Sequence, residues 1–309
     1  MGKRVVLLFA GQGAQKVGMG QDLAESFPAA KALLEQADAQ LDFSLSDVMF
    51  EGPAEELTRT SRCQPALYVH GLMCEAQIRE SLPDLAIAGC AGLSLGEFTA
   101  HAAAGTFDFA TGLSLVAQRG AFMEEATSAT EGAMAAMIGG EDEAVAKLAA
   151  DCDIDVANYN APGQIVVSGT KDGVAKAVAG AKDKGIRIAK ALDVAGAYHS
   201  RLMVSAQEKL AKVLAETEFA TPGVLVLCNV EAREVSEAAD IRATLEAQVS
   251  GSVRWTDSMK AFIAAGETTF LELGPGGVLA GLMKRIDKSA TVISVSDVAS
   301  LEAAIEALS

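Results

Sequence analysis

Cysteine is scarce in this chain: there are five, an odd number, and no C-x-x-C pair. That excludes a disulfide framework and a paired-thiol metal or redox motif, and it points to reduced thiols in a cytosolic protein. Cys90 lies in an apolar, strand-like run and reads as core. Long apolar runs are missing too. Half of the residues are hydrophobic (50%), yet no stretch nears the about 18 consecutive apolar residues of a membrane span. The opening MGKRVVLLFAGQG starts basic, but its apolar run is too short for a signal peptide and no small-residue cleavage pattern follows. Positive charge is also in short supply. With 25 Lys and Arg against 41 Asp and Glu the net charge is −16, which argues against nucleic acid or an anionic membrane as partner. An acidic partner would need a local basic patch. Two are present: KDKGIRIAK, with Lys182, Lys184, Arg187 and Lys190, and MKR, with Lys284 and Arg285. Each is either a docking face or ordinary solvated surface. Histidine is rarer still, with three residues.

What is present is a strand–helix rhythm. RVVLLFA reads as a buried strand and ESFPAAKALLEQADAQL as a helix. A loop through EGPAEELTRTSRCQP then leads to the helix ALYVHGLMCEAQIRES. LAIAGCA is a strand, and EFTAHAAAG and ATGLSLVAQRGAFMEEAT are helices. The alternation predicts a largely parallel sheet covered by helices, an α/β fold. Between residues 130 and 196 the order changes to β-α-β-β-α-β, the ferredoxin-like pattern. That unit can close its own small core and reads as an inserted subdomain, with 1–129 and 197–309 forming the larger domain. The later strands of the larger domain are VLVLCN, TTFLEL and ATVISV.

Several motifs carry chemistry. GLSLG at 92–96, between the strand LAIAGCA and the helix EFTAHAAAG, is either a nucleophile elbow presenting Ser94 or a tight turn. FAGQGAQKVGMG at 9–20 fails as a dinucleotide fingerprint, because Lys16 stands where the third glycine belongs. It fails as a phosphate loop because Met19 and Gly20 replace Lys and Ser/Thr. Its glycines allow the close backbone approach that an oxyanion hole requires, and equally an ordinary turn. A base for Ser94 would be a histidine. His70 and His101 sit inside helical stretches, whereas His199 lies at a strand-to-helix junction, so elimination selects His199. Arg119 sits in a strongly apolar helix and needs an anion: an internal carboxylate, or a substrate carboxylate that its fork matches bidentately. No acid completes a triad. Asp193 is near His199 in sequence, but a dyad oriented by a backbone carbonyl is as plausible.

Together these segments resemble the malonyl-CoA:acyl-carrier-protein transacylase family, whose relatives include the acyltransferase domains of fatty-acid and polyketide synthases. The resemblance rests on FAGQGAQ, QPAL, GLSLGE, QRGAFM, GAMAAMIG, NYNAPGQIVVSG, AYHSRLM, VRW and LGPGGVLAGLMKRI, in that order along nearly the whole chain. It implies an α/β-hydrolase-like domain with a ferredoxin-like insertion. It implies Ser94 as the acylated nucleophile, His199 as its base, the backbone amides of Gln12 and Leu95 as oxyanion hole, and Arg119 on the malonyl carboxylate. Gln248, ahead of Arg254 and Trp255, matches the family glutamine whose carbonyl orients the histidine, so no third carboxylate is expected. Leu95 and Tyr198 resemble malonyl-selective members. The family usually has His where Leu93 stands, Pro where Ala10 stands, and a bulkier or charged residue at Gly277. The substrates implied are malonyl-CoA and holo acyl carrier protein, with no permanently bound cofactor and no metal. The expected setting is fatty-acid synthesis in a bacterial cytoplasm or an organelle. The rivals are a polyketide acyltransferase, a serine thioesterase-type hydrolase and a non-catalytic carrier-binding protein.

Overall fold

In chain order the strands are β1 (Arg4–Phe9), β2 (Ala86–Gly92), β3 (Gly132–Ile138), β4 (Asp155–Ala161), β5 (Gln164–Thr170), β6 (Ile188–Ala191), β7 (Leu225–Val226), β8 (Thr269–Leu273) and β9 (Thr291–Val295). The computed structural model describes residues 3–309. Five strands form a parallel sheet in the order β7–β2–β1–β8–β9, and the other four form an antiparallel sheet in the order β4–β5–β3–β6. β1 is buried along its whole length after Arg4 because both faces of the parallel sheet are covered. Alternation sends Val5, Leu7 and Phe9 into the core that holds Phe98 and Leu113. Val6 and Leu8 go into the one that holds Trp255, Phe262 and Met283. The antiparallel sheet carries the helices Asp142–Asp151 and Lys171–Gly180 on one face and closes a third, separate core around Met137, Leu148, Ile165 and Val174.

Three details depart from the sequence reading. The helix expected to begin after Pro65 begins at Thr60 and carries Pro65 inside it (Thr60–Ser81). Packing overrides the proline there: Thr60, Cys63 and Gln64 are buried, against the helix Phe109–Ala129. The stretch VLVLCN pairs with the sheet only at Leu225 and Val226, and IRIAKALDV only over Ile188–Ala191. Both lie at sheet edges, where a single neighbour supports the ladder.

The register aligns the ends that matter. Phe9, Gly92 and Leu273 are direct partners across β2, β1 and β8, so the loops that follow these strands leave the sheet side by side. At this edge the backbone is crowded. A Cβ on Gly92 would fall inside the carbonyl of Gly96, and one on Gly96 inside the carbonyl oxygen of Phe9. The two glycines of the elbow are therefore required by the close approach of three backbone segments. The residue between them, Ser94, is held at φ 55, ψ −106, a conformation that costs a non-glycine residue about 1–3 kcal/mol.

Gly92→Ala should lower unfolding stability by about 3 kcal/mol or prevent folding, since the clash is with backbone and cannot be relieved by a rotamer. Gly281→Ala, at an exposed helix position with open space around it, should instead raise stability by about 0.5–1 kcal/mol. Urea unfolding of both variants checks the pair; an unshifted midpoint for Gly92→Ala would contradict the crowding argument.

Candidate active site

The elbow points Ser94 into a cluster of side chains drawn from five separate segments. The helix Leu95–Ala103 starts directly after the serine, and the turn is tied down from outside by Asn229. The Asn229 Oδ1 accepts from the Ser94 amide at 2.7 Å, and its Nδ2 donates to the Gly92 carbonyl at 2.8 Å. Leu93 N–H donates to the Phe9 carbonyl at 3.1 Å, which places the loop after β1, with Gln12, directly beside the elbow. At the N-terminus of the following helix the Leu95 N–H has no acceptor among the described residues, and neither has that of Gln12. Unpaired donors at such a position are an anion site in waiting.

His199 completes the pair. Its Nε2 is 2.7 Å from Ser94 Oγ, while Nδ1 is 2.9 Å from the Gln248 carbonyl and 3.1 Å from that of Gly251. Carbonyls only accept, so Nδ1 carries the proton and Nε2 is left to accept from the serine hydroxyl. The imidazole is buried (4% exposed). Burial, followed by the charge of Arg119, pushes it down to about 4, so it is a neutral base throughout the physiological range. Asp193 is exposed and plays no part in this contact.

Arg119 lies on the other side of the serine, 1% exposed. Its guanidinium donates to Gln64 Oε1 at 2.8 Å, to Gln248 Oε1 at 2.8 Å and to Ser94 Oγ at 3.1 Å. Nε has no partner among the described residues. The Phe98 ring sits 5.4 Å from the guanidinium carbon. No carboxylate lies within ion-pair distance among the described residues. Of the two sequence-level options, the internal salt bridge is thereby absent: a buried cation rests on amide oxygens. Burial holds it down to about 10, with Glu97 pulling the other way.

The structure thus brings Ser94, His199, Arg119, Gln248 and the amides of Gln12 and Leu95 to one place. The six basic residues are elsewhere. Lys182, Lys184, Arg187 and Lys190 are exposed on and before β6, one edge of the antiparallel sheet. Lys284 and Arg285 end the helix Val278–Ile286, which packs beside β4, the opposite edge. They form two faces rather than one. Lys184 pairs with Asp151 at 3.4 Å. Arg187 lines an approximately 760 Å³ cleft with Glu141, Asp142, Glu143 and Asp257. His70 and His101 are fully buried, bound to the Ser296 carbonyl and the Thr106 hydroxyl. Leu93 packs on the apolar cluster around Leu227 and Ala161.

Sequence reasoning missed three functional supports. Gln64 sits in QPAL, Glu97 in GLSLGE and Asn229 at the end of VLVLCN; all three are buried polar residues at the site. The signal that could have found them is a polar residue inside an apolar run next to a motif. Their partners are remote in sequence, so no spacing reveals them. Among the described residues no group of three or more His, Cys, Asp or Glu is arranged to hold a metal, and no helix is long and apolar enough to cross a membrane.

Comparison with known proteins agrees with this geometry. The acyl transferase domain family matches residues 6–303. The malonyl CoA-acyl carrier protein transacylase of Bacillus subtilis (strain 168) is 43% identical, over 99% of this chain and 97% of its own. A crystal structure of an acyl carrier protein S-malonyltransferase from Vibrio cholerae superposes with a TM-score of 0.93 at 40% identity, covering 98% of this chain and 99% of that one. A solved complex of a type II PKS acyl-carrier protein with its malonyl-transacylase gives 0.94 at 35% identity, with 99% of each chain covered. With fold and sequence aligned from end to end, the chain belongs to the acyl transferase domain family, among the malonyl CoA-acyl carrier protein transacylases.

Proposed function

We propose that this enzyme transfers the malonyl group of malonyl-CoA to the phosphopantetheine thiol of acyl carrier protein through a malonyl ester on Ser94, supplying fatty-acid synthesis. The observation that carries the reading is Arg119: a buried guanidinium without a carboxylate partner among the described residues, 3.1 Å from the nucleophile. A site that holds an unneutralised cation there is built to receive an acyl group that ends in a carboxylate. A hydrolase of simple acyl esters has no use for it.

In the acylation step, His199 Nε2 takes the Ser94 proton as Oγ attacks the thioester carbonyl, and the amides of Gln12 and Leu95 receive the developing oxyanion. The imidazolium, held in place by the Gln248 carbonyl, returns the proton to the departing coenzyme A sulfur. The carrier's thiol then runs the same sequence in reverse on malonyl-Ser94. Each of these steps is assigned to the protein's own residues. The division into a 1–129 plus 197–309 catalytic domain and a 130–196 inserted subdomain belongs to the same reading, supported by the separate core of the antiparallel sheet. So does residence in the cytoplasm, supported by five free cysteines.

Arg119→Ala should cost malonyl-CoA about 2–5 kcal/mol of transition-state binding. That is roughly thirty-fold to a few thousand-fold in kcat/KM at about 1.4 kcal/mol per decade. Acetyl-CoA, with no carboxylate to lose, should react with Arg119→Ala as fast as with the parent or faster. Acylation rates for both thioesters measure this, and equal losses would make Arg119 a structural residue and remove the basis of the reading.

The base makes a second expectation. With His199 pushed down to about 4, the acylation rate at saturating substrate should stay level from about pH 8 to pH 5. It should fall by half near pH 4, as the imidazole acquires a proton and can no longer accept one. A half-point near pH 6.5 in rapid-quench measurements would contradict a buried neutral histidine.

For carrier docking we propose the β6 edge, where Arg187 and Lys190 flank the exposed Ile188, with Lys182 and Lys184 beside it; Lys284 and Arg285 form a second candidate face. Replacing Arg187 and Lys190 together by Glu should raise the KM for holo-carrier several-fold at low salt and leave Ser94 acylation by malonyl-CoA as it was. An unchanged carrier KM would move docking to the Lys284–Arg285 face.

A further inference from the structure

One buried acid takes no part in the chemistry above. Glu97, one turn after the nucleophile, is 0% exposed. We propose that Glu97 is a positioning residue that balances the charge of Arg119 through the amide of Gln248, and that it takes up a proton from solvent when a substrate carboxylate reaches the guanidinium. The second half rests on the reading of Arg119 given above.

The geometry is a relay through one amide. Gln248 Oε1 accepts from Arg119 at 2.8 Å, and Gln248 Nε2 donates to Glu97 Oε2 at 2.6 Å and to the Ser94 carbonyl at 2.9 Å. The reverse orientation would set an NH2 group against a guanidinium. The acceptors at Glu97 and at the Ser94 carbonyl together hold the amide the right way round. Because the backbone carbonyl of the same Gln248 carries His199 Nδ1, Glu97 steadies both the cation and the base without touching either.

The two oxygens of Glu97 are not equivalent. Oε2 accepts from Gln248 and from the Asn229 amide at 3.1 Å, whereas Oε1 has no partner among the described residues. A proton can therefore come and go at Oε1 while both hydrogen bonds to Oε2 survive. Burial pushes this carboxyl up to about 7, opposed by the bonds from Gln248 and Asn229 and by the charge of Arg119. The other titratable groups facing the pair, the His199 imidazole, the Cys228 thiol and the Tyr198 phenol, are neutral at that pH. Among the described residues Arg119 is thus the charge that favours ionised Glu97, beside the two hydrogen bonds to Oε2.

A substrate carboxylate changes this balance. Once it pairs with Arg119, the pull on Glu97 is cancelled and a second anion lies nearby, so its affinity for a proton rises. By linkage, binding then takes up a proton, and affinity for the malonyl group falls as pH rises above about 7, by up to about tenfold per unit until the pKa of the loaded site is reached. When the carrier removes the malonyl group, the proton returns to solvent. The transfer from thioester to serine is itself proton-neutral, because the serine proton leaves on coenzyme A.

The test is proton uptake on mixing the intact enzyme with malonyl-CoA at pH about 7.5, read with an indicator dye in weak buffer. Coenzyme A and acetyl-CoA serve as blanks for phosphate binding and for acylation. About half to three quarters of a proton per site is expected with malonyl-CoA and close to none with either blank. Glu97→Gln, which keeps the shape and an acceptor for Gln248, should abolish the uptake and flatten the rise of malonyl-CoA KM between about pH 6.5 and 8.5. No uptake by the parent, or uptake that persists in Glu97→Gln, overturns the role of Glu97. If Arg119→Ala slows transfer from malonyl-CoA but not from acetyl-CoA, the carboxylate reading survives that result. If Arg119→Ala slows both thioesters equally, that reading fails and takes this inference with it.

Discussion

A positive charge buried beside a serine and hydrogen-bonded to amide oxygens and a hydroxyl organises this molecule. Arg119 could not be buried unpaired without a large penalty, and the structure meets that penalty with groups brought from distant parts of the chain. Gln64 comes from the helix before β2, Gln248 from the segment after Ala238–Ala247, and Ser94 from the elbow. Each contact also constrains something else. Gln248 holds the histidine with its backbone while holding the arginine with its side chain. The site is therefore one network, and its members cannot be moved one at a time.

The second constraint is steric and sits beneath the first. β1, β2 and the helix that follows the elbow approach so closely that two glycines are needed, and Ser94 accepts a left-handed backbone conformation between them. His199 has the same feature, with φ 54. Strain at both reacting residues is held by their surroundings: Asn229 on the serine side, and the carbonyls of Gln248 and Gly251 on the histidine side. Reacting atoms are thus set by backbone, with little left to side-chain rotamers, which is the preorganisation that acyl transfer benefits from.

Charge follows a different logic at long and at short range. The chain carries a net −16, yet the charge nearest the serine is a cation, Arg119, buried where solvent screens poorly. Glu97 stands two hydrogen bonds away from that cation, with Gln248 between them. A carboxylate in direct contact would have neutralised Arg119 and competed with an acyl carboxylate. Held at one remove, it lowers the cost of the buried charge and leaves the guanidinium bonded to neutral oxygens.

Much of this architecture is legible in the amino-acid sequence. Periodicity and turn chemistry are local properties, so the strands RVVLLFA and LAIAGCA, the βαββαβ order and the elbow at Gly92–Gly96 are encoded in short stretches of chain. Ser94, His199 and Arg119 stand out because an unusual residue type occupies an unusual local setting. The tertiary structure alone decided what no local rule encodes. It placed Asn229 on the elbow, set Gln64 in place of a carboxylate beside Arg119, buried Glu97 and separated the two basic clusters onto opposite edges of one sheet. It also started a helix at Thr60 in spite of Pro65, since burial against a neighbouring helix outweighs a local preference of the backbone. Hydrogen bonds between residues more than 100 positions apart leave no spacing to read, because the distance that matters is set by how the sheets and helices pack.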